Sequence, residues 1–138
     1  MINPSNALIA VVPDLKIIGV QKKFMIKGKQ MLLTCRYNAL PLVSELLWKK
    51  DGLVIARNAS VEINDSRVTI PHYHESQIQL STTKTISQDA GNYTCIAINE
   101  VGNSSDTTSI LIQGVLSITI VSELTSFFEE FVIPITCV

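Results

Sequence analysis

Three cysteines and two histidines are the side chains of this sequence best suited to chemistry, and their placement limits what they can do. His72 and His74 stand two apart, so on a strand both rings would face one side, as paired metal ligands must. A zinc site usually takes a third and a fourth ligand, and the neighbourhood offers only Glu62 and Glu75. We therefore expect a solvated loop at His72-Tyr73-His74 and no metal centre. Serine, histidine and aspartate all occur, yet they form no nucleophile elbow, glycine-rich phosphate loop or paired-carboxylate signature. No enzyme and no cofactor is expected. Cys35, Cys95 and Cys137 remain as candidates for cross-links.

Four N-x-[ST] sequons stand at Asn58, Asn64, Asn92 and Asn103, whereas proline bars Asn3-Pro4-Ser5. Composition alone would give about one or two. Each is read as lying in a loop or at an outward strand position, where a glycan is carried without burial. Lys22, Lys23, Lys27 and Lys29 form the one basic cluster. It could meet heparan sulfate, and a lysine-protected solvated edge accounts for it better. Eleven Lys and Arg against 12 Asp and Glu leave a net charge of -1, unlike the basic footprint of a nucleic-acid binder. The longest apolar runs, such as Ala7 to Val12, are far shorter than the roughly 20 residues of a membrane span. No direct membrane contact is expected in this segment. No basic residue precedes that run and no small-residue cleavage site follows it, so no secretion signal is read here and Met1 is taken as the start of a fragment.

From Pro13 onward, short stretches of two-residue alternation are separated by polar turn clusters, with no sustained helical period. The chain reads as all-β. Gln30 to Tyr37 sets Met31, Leu33, Cys35 and Tyr37 on one face, and Gly91 to Asn99 does the same with Tyr93, Cys95 and Ala97. Further strands are expected at 44–50, 53–55, 67–70, 77–83 and 107–113. Turns are read at Lys27-Gly28, Asp51-Gly52, Asp89-Ala90-Gly91 and Val101-Gly102-Asn103. Two cysteines thus fall mid-strand on inward faces, 60 positions apart, with the single Trp48 thirteen residues after the first and Tyr93 two before the second.

Trp48-Lys-Lys-Asp-Gly52, followed by Asp89-Ala-Gly-Asn-Tyr-Thr-Cys-Ile-Ala-Ile-Asn99 and Gly102, resembles the intermediate-type (I-set) immunoglobulin domains over about residues 13–113. The resemblance implies an immunoglobulin-like two-sheet Greek-key sandwich in which Trp48 packs on a Cys35–Cys95 disulfide joining the sheets. It further implies a Tyr93 hydroxyl bonded to upstream backbone and an Arg67–Asp89 ion pair at the bottom of the sandwich. Fold does not fix function.

Repeats point to a larger whole. At an offset of 102, Met31-Leu-Leu-Thr-Cys35 lies over Ile133-Pro-Ile-Thr-Cys137, and Leu8-Ile-Ala10 over Ile110-Leu-Ile112. Residues 1–12 are read as a leader or as the last strand of a preceding domain, 13–113 as a complete domain, and 114–138 as the opening of a truncated one. Cys137 would then lack its natural partner. Alternation further sets Leu47, Ile96, Ile98 and Leu111 on the outer face of one sheet, a candidate contact surface for a protein ligand or a second copy. The expected role is a recognition or adhesion module in a multi-domain cell-surface receptor or matrix protein, outside the cell, flanked by neighbouring domains of its kind. The alternative is a structural spacer, including one in an intracellular muscle-type filament protein.

Overall fold

The computed structural model describes residues 10–18, 24–74 and 76–114. Its strands are β1 (Val11–Ile18), β2 (Phe24–Ile26), β3 (Met31–Leu40), β4 (Glu45–Lys50), β5 (Leu53–Arg57), β6 (Ser60–Val61), β7 (Val68–His74), β8 (Gln77–Thr82), β9 (Gly91–Ile98) and β10 (Asn103–Gln113). They form a four-stranded sheet, β1-β3-β8-β7, and a six-stranded sheet, β2-β10-β9-β4-β5-β6. The start of the chain divides between the two: β1 runs antiparallel to β3, and β2 parallel to β10. Among the described residues, no helix is long and apolar enough to cross a membrane.

Strict alternation builds the space between the sheets. Met31, Leu33, Cys35 and Tyr37 of β3 are buried, as are Tyr93, Cys95 and Ala97 of β9. The residues between them face outward. Trp48 is opposite Cys95 on one side and Ala56 on the other, while Cys35 is flanked in register by Ile17 and Ile78. Leu46, Leu80 and Ile110 complete the centre at no more than 1% exposure. The edges of the sandwich are joined by polar contacts: Ile17 N–H donates to Asp106 Oδ2 at 2.8 Å, and the buried Thr85 hydroxyl lies 2.9 Å from the Lys29 carbonyl.

Among the differences from the sequence reading, three bear on the candidate residues. Val11 already pairs with Leu40, and Asn99 Nδ2 donates to the Val11 carbonyl at 2.8 Å. Val11 and Val12 therefore belong to this sandwich and not to a preceding unit. His72 and His74 lie on β7 rather than in a solvated loop. Pro71 falls in an irregularity between Thr69 and His72 on an edge strand, where a missing N–H costs no ladder bond. Strand β10 begins at Asn103, four residues earlier than expected, because Asn99 organises the turn before it: its Oδ1 accepts the N–H groups of Val101 at 3.0 Å and Gly102 at 3.1 Å. The assignments made for residues 1–9 and 115–138, with Cys137, and for Lys22, Lys23 and Glu75, lie outside the described residues.

Gly91 opens β9 at φ +151°, and a Cβ there would lie 2.5 Å from Asp51 Oδ2. The carboxylate cannot simply move away, since Asp51 Oδ1 accepts the Asn92 N–H at 2.8 Å. Gly91→Ala should cost about 1–3 kcal/mol, read by urea unfolding. In an Asp51→Ala background the cost should shrink to the backbone share, and an unchanged cost would contradict the steric account.

Candidate functional site

At the bottom of the sandwich the chemistry is structural. The Arg67 guanidinium forms a two-pronged pair with Asp89, Nη1 to Oδ2 at 2.8 Å and Nη2 to Oδ1 at 3.1 Å. It also grips Asp65, Nη2 to Oδ2 at 2.8 Å and Nε to Oδ1 at 3.2 Å. Asp89 Oδ2 accepts the Ile86 N–H at 2.7 Å as well. Asp65 had not been expected. Two residues before Arg67, it also accepts that residue's own N–H at 3.0 Å, a local turn bond that the Asp-Ser-Arg spacing permits. The Tyr93 hydroxyl donates to the Asp89 carbonyl. Burial first, then the negative charges of Asp89 and Asp51, push its phenol upward, so it stays a donor.

The hydrogen bonds from Arg67, first from its side chain and then from its backbone, hold the Asp65 carboxyl below its ordinary 3.8. A depressed carboxyl favours the fold at pH values above the unfolded value and loses that contribution as pH falls through the folded one. Acid unfolding followed between pH 6 and pH 2 should therefore steepen below about pH 4 in the parent, and Asp65→Asn should flatten that limb. Parallel curves for the two proteins would contradict the assignment.

In the core, Cys35 and Cys95 are joined, with Cα atoms 6.4 Å apart, and Trp48 beside Cys95 is 0% exposed. The indole Nε1 finds no acceptor among the described residues.

The outer face of the six-stranded sheet is where a contact surface was expected. Its cross-strand rows are Glu45–Ile98–Asn103, Leu47–Ile96–Ser105 and Lys49–Thr94–Thr107, followed by Asn92–Ser109. The expectation of four contiguous exposed aliphatics is corrected. Leu47 points outward but is only 8% exposed: it is opposite Arg57, whose guanidinium reaches Glu45 at 2.8 Å and Glu62 at 3.5 Å, carrying the aliphatic stem past Leu47. Leu111 is 62% exposed but lies six residues beyond Ser105 on β10, about 20 Å from Ile96 along the strand. It pairs with Phe24 of β2 instead. Ile96 and Ile98 remain as half-buried neighbours.

Three sequon asparagines, Asn64, Asn92 and Asn103, are exposed. Asn58 differs. It is half-buried at φ +54°, with Oδ1 accepting the Leu46 N–H at 2.9 Å, so the side chain is occupied in tying the β5–β6 turn to β4. The rings of His72 and His74 meet edge to face with centroids 4.3 Å apart, and His72 Nε2 is buried without a partner among the described residues. Among those residues no group of three or more His, Cys, Asp or Glu gathers within reach of one ion. Lys27 and Lys29 are exposed in the turn between β2 and β3.

Comparisons with known proteins agree with this architecture. The family described as Immunoglobulin domain matches residues 24–108. Neuroglian of Drosophila melanogaster is 33% identical over 99 residues, covering 72% of this chain and 7% of that protein. The mast/stem cell growth factor receptor kita of Danio rerio is 30% identical over 115 residues, 82% of this chain and 12% of the receptor. The muscle M-line assembly protein unc-89 of Caenorhabditis elegans is 28% identical over 86 residues, 62% of this chain and 1% of that protein. The chain thus spans a small part of each relative. Among solved structures, a chimeric titin Z1Z2 superposes with a TM-score of 0.62 at 16% identity, covering 78% of this chain and 100% of that one.

Proposed function

Because this chain belongs to the immunoglobulin-domain family, we propose that it works as a non-enzymatic protein-recognition or adhesion module of I-set type in an extracellular multi-domain receptor or matrix protein. The observation that carries this reading is the trio of exposed sequons, Asn64, Asn92 and Asn103, set on a frame closed by the Cys35–Cys95 bond. Disulfides persist in oxidising compartments, and an exposed asparagine accepts a glycan without disturbing packing. The module stands in a tandem: the offset that carries Met31–Cys35 onto Ile133–Cys137 supports a following unit that begins near residue 114. Its protein ligand, or a second copy of the module, meets the side chains around Ile96 and Ile98.

Passage through a eukaryotic secretory pathway tests the compartment. The secreted chain should lose mass on digestion with an N-glycosidase, and the triple variant Asn64→Gln, Asn92→Gln, Asn103→Gln should abolish nearly all of that loss. Asn58→Gln should leave it nearly unchanged. A secreted chain of unmodified mass would overturn the reading. A second reading, a structural spacer in an intracellular filament protein, draws on the likeness to a muscle M-line assembly protein. It requires both core cysteines to be free thiols in the native protein.

A further inference from the structure

The outer face of the four-stranded sheet carries charges that form no ion pair among the described residues. Lys16 pairs in register with Arg36, Arg36 with Gln77, and Gln77 with His74, so one row of four side chains crosses all four strands on one face. The next row on the same face is Ile18–Thr34–Gln79–His72. Two cations directly opposite each other on neighbouring strands destabilise a sheet. Both Lys16 and Arg36 are exposed, and neither forms an ion pair with a described carboxylate. No described carboxylate lies on these two rows; Asp14 lies on the neighbouring row of the same face, opposite Asn38. A depression of about 510 Å³ lies over the same place, lined by Lys16, Arg36, Asn38, Ser76, Ile18 and the carboxylate Asp14 among others.

We propose that this face binds a sulfated polysaccharide laid across the strands along the row Lys16–Arg36–Gln77–His74. The row offers an ammonium, a guanidinium, an amide and an imidazole over three interstrand steps, about 14 Å. Guanidinium is suited to two-pronged recognition of sulfate-like oxygens. Half-buried Ile18 is the sole aliphatic of the two rows, and exposed Leu32 lies one row further on the same face. The two cations set side by side on exposed strands favour an extended polyanion as the occupant. The proposal also relocates anionic-glycan recognition from the turn that holds Lys27 and Lys29 to the sheet face.

This inference rests on the extracellular reading. Its test uses the purified, oxidised full chain, so it succeeds or fails independently of glycan occupancy. Binding to heparin is measured by calorimetry in low salt and repeated in high salt. The double variant Lys16→Ala, Arg36→Ala should weaken binding by roughly tenfold or more, whereas Lys27→Ala, Lys29→Ala should change it by less than about threefold, and salt should weaken the parent's binding. Both pairs are exposed, and unchanged circular dichroism confirms that each variant is folded. No heparin binding, equal binding by the Lys16/Arg36 variant, or equally tight binding of poly-glutamate of matched length would overturn the proposal.

Discussion

Replacing Cys35 and Cys95 together by alanine is expected to lower the unfolding free energy by roughly 4 kcal/mol. The bond closes a loop with a sequence separation of 60, and the chain-entropy account places loops of that size between the roughly 3 kcal/mol of a 15-residue loop and the 4.7 kcal/mol of a 100-residue one. Native domains hold only about 5–15 kcal/mol in total, so the loss is a large share. Both sulfur-bearing residues are 0% exposed, and the paired strands β3 and β9 belong to different sheets. The bond therefore restrains the sheet-to-sheet distance that every other core contact assumes. Urea unfolding of the oxidised parent and the double variant measures the difference. A difference below about 1 kcal/mol would show that packing alone holds the sheets.

Trp48→Ala should cost about 3–5 kcal/mol, the usual range for deleting a fully buried large aromatic. Trp48 sits between Cys95 and Ala56 in its sheet and is 0% exposed, and the small alanine leaves no side chain on that side to fill the gap. Trp48→Phe should cost less than half as much. Its ring fills much of the same volume, and the indole N–H that it removes has no acceptor among the described residues. Far-ultraviolet circular dichroism, which does not depend on the tryptophan, follows both. Equal costs for the two variants would place the stabilisation in that N–H and contradict the packing account.

What could be read from the sequence follows physical range. Alternation is local, so Cys35, Tyr93 and Cys95 could be placed on inward faces before any contact was known, while Trp48 was placed through the family resemblance. The same rule gives a direction and not a coverage. Leu47 points outward as alternation requires, and it is buried because Arg57 reaches over it to Glu45, an event between two strands that alternation does not encode. Leu111 shares the outer face but lies beyond the reach of Ile96, because contiguity depends on register. Arg67–Asp89 was legible through the family resemblance, and Asp65 was within reach of local reasoning about Asx turns. Asn99 was not: it is 4% exposed and binds the carbonyls of Val11 and Pro41, 88 and 58 residues away in sequence. Pro71 is tolerated within β7 because that strand lies at a sheet edge, which only the strand order decides.

The claim on which the functional account depends is that this sandwich works outside the cell. Peptide mapping of the native protein, alkylated and digested without reduction, tests it most directly. The account predicts a linked pair of peptides containing Cys35 and Cys95, with sugar on at least one of Asn64, Asn92 and Asn103. Alkylated Cys35 and Cys95 on separate peptides, with all three asparagines bare, would contradict it.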